Sequence, residues 1–177
     1  MITIIMFLPV LVSYFYKNFK TMFGNLDKYE IEKVLRHQII GRLACHANNV
    51  TYVVPISYAY DGIYIYGHTY EGMKIRMMRE NPKVCFEVDT MENMANWKSV
   101  IAWGEFEELT DPEERKKGIQ QLLDRTLPII TSQTVKITPQ WPFPPSDFNK
   151  VKGIVYRIKL TEKTGRFEKY DPPFYQL

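Results

Sequence analysis

Between Gly62 and Asp89 a strand pattern ends at Gly67-His68-Thr69, and Gly72-Met73-Lys74 opens a helix at once. Asn81-Pro82 stops that helix before a second strand pattern. A helix this short, tied at both ends to strands, must lie against the sheet those strands build. On a helical wheel of about 100° per residue, Lys74 falls between the pair Met73 and Met77 and the side of Met78 and Ile75. Arg76, Arg79 and Glu80 take the opposite side. The predicted inward face thus carries an ammonium near the positive end of the helix, with Glu71 the local carboxylate. A charge turned toward an apolar sheet needs a counter-charge, and helix N-termini hold phosphate through free N–H groups and the macrodipole. The segment reads as a phosphate cradle. It reads equally well as a lysine whose ammonium reaches water along an apolar stem, with Thr69 capping the helix.

A chain of 177 residues fills one core and is short for two ordinary domains. Aromatic residues make up 14%, twelve of them Tyr, a bias that suits strands and a planar-ligand site or an interface. The net charge of +3 is spread among acids, which argues against nucleic acid as a partner. Cys45 and Cys85 fall in apparent strands without a CxxC pair or histidine-rich spacing. They read as small buried hydrophobes in a reducing, cytoplasmic compartment, and no metal site is expected. Residues 2–16 are mostly apolar but short for a spanning helix, and Lys17 and Lys20 follow them. A weak anchor, an atypical signal and a mis-assigned start all fit. The last, with Met22 as the true first residue, is favoured, making residues 1–21 an extension and 22–177 one folded domain. A membrane partner is not expected.

Leu26-Asp27-x-x-Glu30-Ile31 is a capping-box start for a first helix. Strands are predicted over 39–46, 50–60 and 63–66, the last two joined at Asp61-Gly62. Pro55 marks an edge, a bulge or a backbone that faces something other than a neighbouring strand. Further strands are expected over 84–88 and 98–109, with a loop over 89–97 and a bulge or close approach at Gly104. Asp111-Pro112-Glu113-Glu114 opens a helix with Ile119, Leu122 and Leu123 inward. Residues 128–149, rich in Pro and carrying Trp141 and Phe143, suit a lid or a partner-wrapping arm. A final strand over 153–161 precedes a turn at Thr164-Gly165-Arg166. Hairpin-joined strands with irregular helices point to a mainly β fold, a β-barrel with peripheral α-helices. There is no GxGxxG after a strand and no Walker motif.

Six pieces in order carry a resemblance: Ile40-Gly41-Arg42-Leu43-Ala44; Val53-Val54-Pro55-Ile56-Ser57-Tyr58; Ile65-Tyr66-Gly67-His68; Glu71-Gly72-Met73-Lys74; Asn81-Pro82-Lys83-Val84-Cys85-Phe86; and Trp97-Lys98-Ser99-Val100 with Gly104. Together they resemble the pyridoxamine 5′-phosphate oxidase-like, FMN-binding split-barrel proteins, nearest the nitroimidazole-resistance, nitroreductase-like branch. The resemblance implies a homodimer with FMN in clefts between subunits. Lys74, Thr69 and the helix start with Met73 would hold the phosphate, and Pro55, Ile56, Ser57 and Tyr58 would border the isoalloxazine. His68 matches a histidine close to the flavin and is the candidate catalytic residue. Trp97 and Ser99 would reach the other subunit's cofactor, and Arg42 would contact FMN or salt-bridge across the barrel. Gly67 stands where much of the branch carries an aromatic residue, implying open space beside the histidine. The C-terminal arginine and histidine pattern of true pyridoxamine-phosphate oxidases is missing.

The implied activity is that of an FMN-dependent oxidoreductase, passing electrons from NADH or NADPH through flavin to a small electron-poor acceptor such as a nitro compound. His68 would donate a proton to the acceptor or hold it, and Trp141 or Phe143 would cover it. The alternative is a non-catalytic flavin-binding protein for storage or sensing. Haem with His68 as axial ligand is a further option, against which the phosphate-type anchor argues.

Overall fold

The computed structural model describes residues 20–125, 145 and 147–171. In chain order these form β1 (Lys20–Asn25), α1 (Lys28–His37), β2 (Ile40–Ala47), β3 (Val50–Ser57), β4 (Ala59–Tyr60), β5 (Tyr64–Thr69), α2 (Met73–Glu80), β6 (Lys83–Asn93), β7 (Asn96–Glu108), α3 (Pro112–Asp124), a 3₁₀ turn at Phe148–Lys150, and β8 (Ile154–Asp171). Asp27 caps α1 by accepting from the Glu30 N–H at 2.8 Å, and Asp111 caps α3 through the N–H groups of Glu113 and Glu114. Asn48 and Asn49 turn the β2–β3 hairpin with positive φ, as two-residue hairpins require.

All eight strands belong to one antiparallel sheet, ordered β3-β2-β6-β7-β8-β5-β4, with β1 added to β8. The long β8 serves three neighbours. It runs beside β7 for most of its length, beside β5 with its first part and beside β1 with its last. The sheet curls around Leu43, Ile65, Phe86, Val88, Val100 and Ile158, all fully buried, with Leu35 of α1 and Ile75 and Met78 of α2 as plugs. Burying each such side chain contributes on the order of 1.5–3 kcal/mol. A second cluster seats Ile119 and Leu122 of α3 on Ala59, Tyr66 and Val155.

The barrel is split where its two end strands meet. β4 and β5 pair at Ala59↔Tyr66 and Tyr60↔Ile65; two residues further, the same register would set Ser57 opposite His68, but no ladder forms there and β3 pairs with β2. Pro55 accordingly stands on an edge strand, opposite Arg42.

Three expectations need correction. The predicted loop over 89–97 is the tip of the β6–β7 hairpin, because Asp89↔Ser99, Thr90↔Lys98 and Met91↔Trp97 keep pairing despite their polarity. The predicted turn at Gly165 is the interior of β8, where Gly165 pairs with Val100. A Cβ there would lie 2.8 Å from Leu26 and 2.9 Å from Ile31, so this glycine serves the close approach of the α1 region. β1 went unpredicted, and it contains Met22 at its centre. The bulge at Gly104 is present, as a register shift between Trp103 and Gly104. Residues 1–19 and the Pro-rich stretch with Trp141 and Phe143 lie outside the described residues.

Candidate functional site

Lys74 and Thr69 meet. The ammonium donates to Thr69 Oγ1 at 2.6 Å, and burial lowers its proton affinity. The cap of α2 is Gly72, with no side-chain cap hydrogen bond, so Thr69 serves the lysine and the first-turn N–H groups have no side-chain acceptor. Glu71 is taken by Arg79 at 2.8 Å. Among the described residues no carboxylate pairs with Lys74. An ammonium, a hydroxyl and an uncapped helix end thus converge without an anion. Met73 is exposed, not inward, since the α2 face that packs is that of Ile75, Met77 and Met78.

His68 stands one residue before Thr69, half-buried, with Nε2 2.7 Å from Lys152 O. A carbonyl only accepts, so Nε2 carries the proton and Nδ1 of the neutral ring is an acceptor. Burial, then the positive charges of Arg115 and Arg125, pull its pKa down, and the bond to Lys152 opposes them. In this tautomer the neutral imidazole commits its one proton to the main chain and presents Nδ1 as an acceptor. Two residues missed by sequence reasoning hold it there. Gly153, at φ +93, lets the turn approach so closely that a Cβ would lie 2.8 Å from His68 Nε2, and Arg115 of α3 donates to the carbonyls of Val151 and Gly153 at 2.7 and 3.1 Å. Space beside Gly67 is filled rather than open. A Cβ there would meet the ring of the fully buried Tyr156 at 2.3 Å.

Along β3 the predicted contacts divide. Ile56 is buried in the barrel. Tyr58, between β3 and β4, is a core residue whose hydroxyl donates to Leu35 O at 2.8 Å and whose ring meets Phe86 edge-on; burial pushes its pKa up. Its N–H is also used, donating to Ile39 O at 3.3 Å, which leaves it no free donor for a ring. Ser57 is half-buried and accepts from Arg125 Nη1 at 2.8 Å. Arg125, just beyond α3, is a third residue missed from sequence. The one signal was its spacing, three positions after the inward Leu122.

Arg42, Ser99 and Trp97 form other groupings. Arg42 pairs with Glu87 at 3.1 Å and with Asp89, which is the salt-bridge alternative. Ser99 donates to the same Glu87 at 3.0 Å, and Trp97 Nε1 to Glu168 at 2.8 Å. Among the described residues no hydrogen bond joins them to Lys74 or His68. Cys45 is buried and Cys85 half-buried, both as free thiols.

A family model described as pyridoxamine 5′-phosphate oxidase matches residues 27–167. The chain belongs to the pyridoxamine 5′-phosphate oxidase family. The cofactor of that family is FMN, and the Lys74–Thr69 pair, an anion-seeking cluster beside an open strand edge, fits a phosphorylated group. Among solved structures, an FAD-binding protein of Mesorhizobium loti is 31% identical, covering 82% of this chain and 98% of its own, with a TM-score of 0.64. A protein provisionally assigned to 5-nitroimidazole antibiotic resistance in Bacteroides thetaiotaomicron shares the fold at 19% identity and a TM-score of 0.63, over 87% of this chain and 95% of its own. An uncharacterized protein of Rhizobium meliloti is 36% identical over 84 residues, 48% of this chain; the match spans 56% of that relative's length. Among the described residues no helix is long and apolar enough to cross a membrane.

Proposed function

We propose that this member of the pyridoxamine 5′-phosphate oxidase family is an FMN-dependent oxidoreductase that takes electrons from NADH or NADPH and passes them to a small electron-poor acceptor, a nitro compound being one candidate. The observation that carries the reading is the unpaired Lys74 ammonium on Thr69 at the uncapped start of α2. In this reading Lys74, Thr69 and the N–H groups after Gly72 hold the FMN phosphate, with Met73 at the rim. The free edge of β3 at Pro55, Ile56 and Ser57 borders the ring. FMN, when bound, supplies the hydride acceptance and electron delivery. His68, fixed by Lys152 and Gly153, offers Nδ1 as an acceptor that orients a substrate donor.

The reading includes a homodimer with FMN at the subunit interface. Met91, Met94, Ile101 and Trp103 are exposed on the β6–β7 hairpin and its continuation, an apolar surface of the kind that marks an interface. Trp97 and Ser99 lie on the same strand, at the end that would reach a partner's cofactor, with Arg42 beside them through Glu87. Free Cys45 and Cys85 support a reducing compartment, the cytoplasm.

The test is the visible spectrum of the purified protein before and after anaerobic NADH or NADPH. Flavin bands that bleach support the oxidoreductase. A colourless protein that refuses added FMN overturns it. Lys74→Met separates the anchor from the chemistry, because loss of a charge-assisted bond of about 1.5–3 kcal/mol predicts an FMN affinity lower by roughly ten- to a hundredfold. A second reading, a flavin-binding module without turnover, is favoured by the commitment of the His68 proton to Lys152 O. Bands that persist with either donor and with every acceptor select it.

A further inference from the structure

Among the described residues Arg125 is a cation with no carboxylate partner. Its Nη1 donates to the neutral Ser57 hydroxyl at 2.8 Å, while its Nε is sealed from solvent with no acceptor among the described residues. Three other arginines of the fold are held by carboxylates. Arg42 holds Glu87 and Asp89, Arg79 holds Glu71 and Glu108, and Arg157 holds Glu107 and Glu114. Native interiors satisfy nearly all their buried polar atoms, so a sealed guanidinium N–H facing nothing calls for an explanation. Burial alone brings its pKa down to about 10, the mark of a charge left uncompensated.

Arg125 is among the residues that line a cavity of about 560 Å³ between the ends of α1 and α3, with Arg36, His37, Gln38, Tyr60 and Gln121. That volume suits a small ligand. Among the described residues one carboxylate lines it, Asp124, which accepts from Gln120 Nε2 at 2.6 Å. His37 is turned to the Lys33 carbonyl, and Arg36 lies over the Tyr60 ring. The surroundings are basic and rich in donors, and on its other side Arg125 touches Ser57 where β3 leaves the barrel ladder.

We propose that Arg125 is the binding point for a small oxyanion, a carboxylate or phosphate group, received in the cavity between the ends of α1 and α3. A planar guanidinium that makes one hydrogen bond among the described residues matches an oxyanion through paired charge-assisted hydrogen bonds, and Ser57 holds the fork in register. The cavity shares no lining residue with the Lys74–Thr69 pair, and it meets the border of the proposed flavin ring at Ser57.

Calorimetric titration of the purified full-length protein with benzoate and, separately, with inorganic phosphate at constant ionic strength tests this. At least one is expected to saturate a single site, and Arg125→Met is expected to weaken it tenfold or more. Benzoate binding alone assigns a carboxylate site, phosphate alone a phosphate site, and both a general oxyanion site. If neither saturates by about 10 mM, or if Arg125→Met binds as well as the wild type, the proposal is overturned. Should that variant fail to fold, the Arg125 Nε–H resonance of the wild-type protein decides. It must shift as the site fills, and an unmoved resonance during binding overturns the proposal.

Discussion

Lys74 was legible in the sequence because a helical wheel needs only local geometry, and a lysine among methionines stands out on it. Its partner was not settled by that argument, since Thr69 could cap the helix or meet the ammonium, and only the placement of Gly72 as the cap decided between them. His68 was found through the family likeness, yet its tautomer depends on Lys152, a residue 84 positions away. Its lowered pKa has a sign that can be checked. An imidazole with a folded value below the unfolded value of about 6.5 contributes stability that is present above that value and lost as pH falls through the folded one. The wild type is therefore expected to lose more stability than His68→Asn between about pH 7 and 5 in urea titrations. Titration of the His68 ring by NMR should give a value below the usual one, raised in Arg125→Met because a positive neighbour is removed. Tyr58→Phe, which orphans Leu35 O, should cost about 1 kcal/mol without changing FMN affinity.

Elements with strong local grammar were readable: the N-caps at Asp27 and Asp111, the Asn48-Asn49 turn, and the bulge at Gly104 all rest on residues whose conformational preferences act over a few positions. The hairpin tip and β8 were not. Polar residues at 89–97 pair because the opposite strand is present, and Gly165 continues a strand because Val100 and Leu26 flank it, neither of which a window of neighbours contains. Gly165→Ala should therefore destabilise the protein by about 1–3 kcal/mol, the cost of overpacking the seam between β8 and α1, measured by chemical denaturation with the spectrum of the folded state unchanged.

For the molecule as a whole, the proposed homodimer would cover the exposed apolar side chains Met91, Met94, Ile101 and Trp103 of the β6–β7 hairpin. Sedimentation should give twice the 21.0 kDa of the single chain, and Trp103→Asp should move the protein toward monomer while leaving its circular dichroism intact. Strand patterning along the chain was enough for a mainly β protein, and six short motifs in order were enough for its family and cofactor. The barrel's opening and the guanidinium of Arg125 belong to another class of fact. They exist because β3 ends against β2 while β5 pairs with β4 and β8, and because α3 packs across that seam. Local propensity cannot anticipate them, since a ladder stops, and a charge loses its water, only when segments far apart in the chain arrive at the same place.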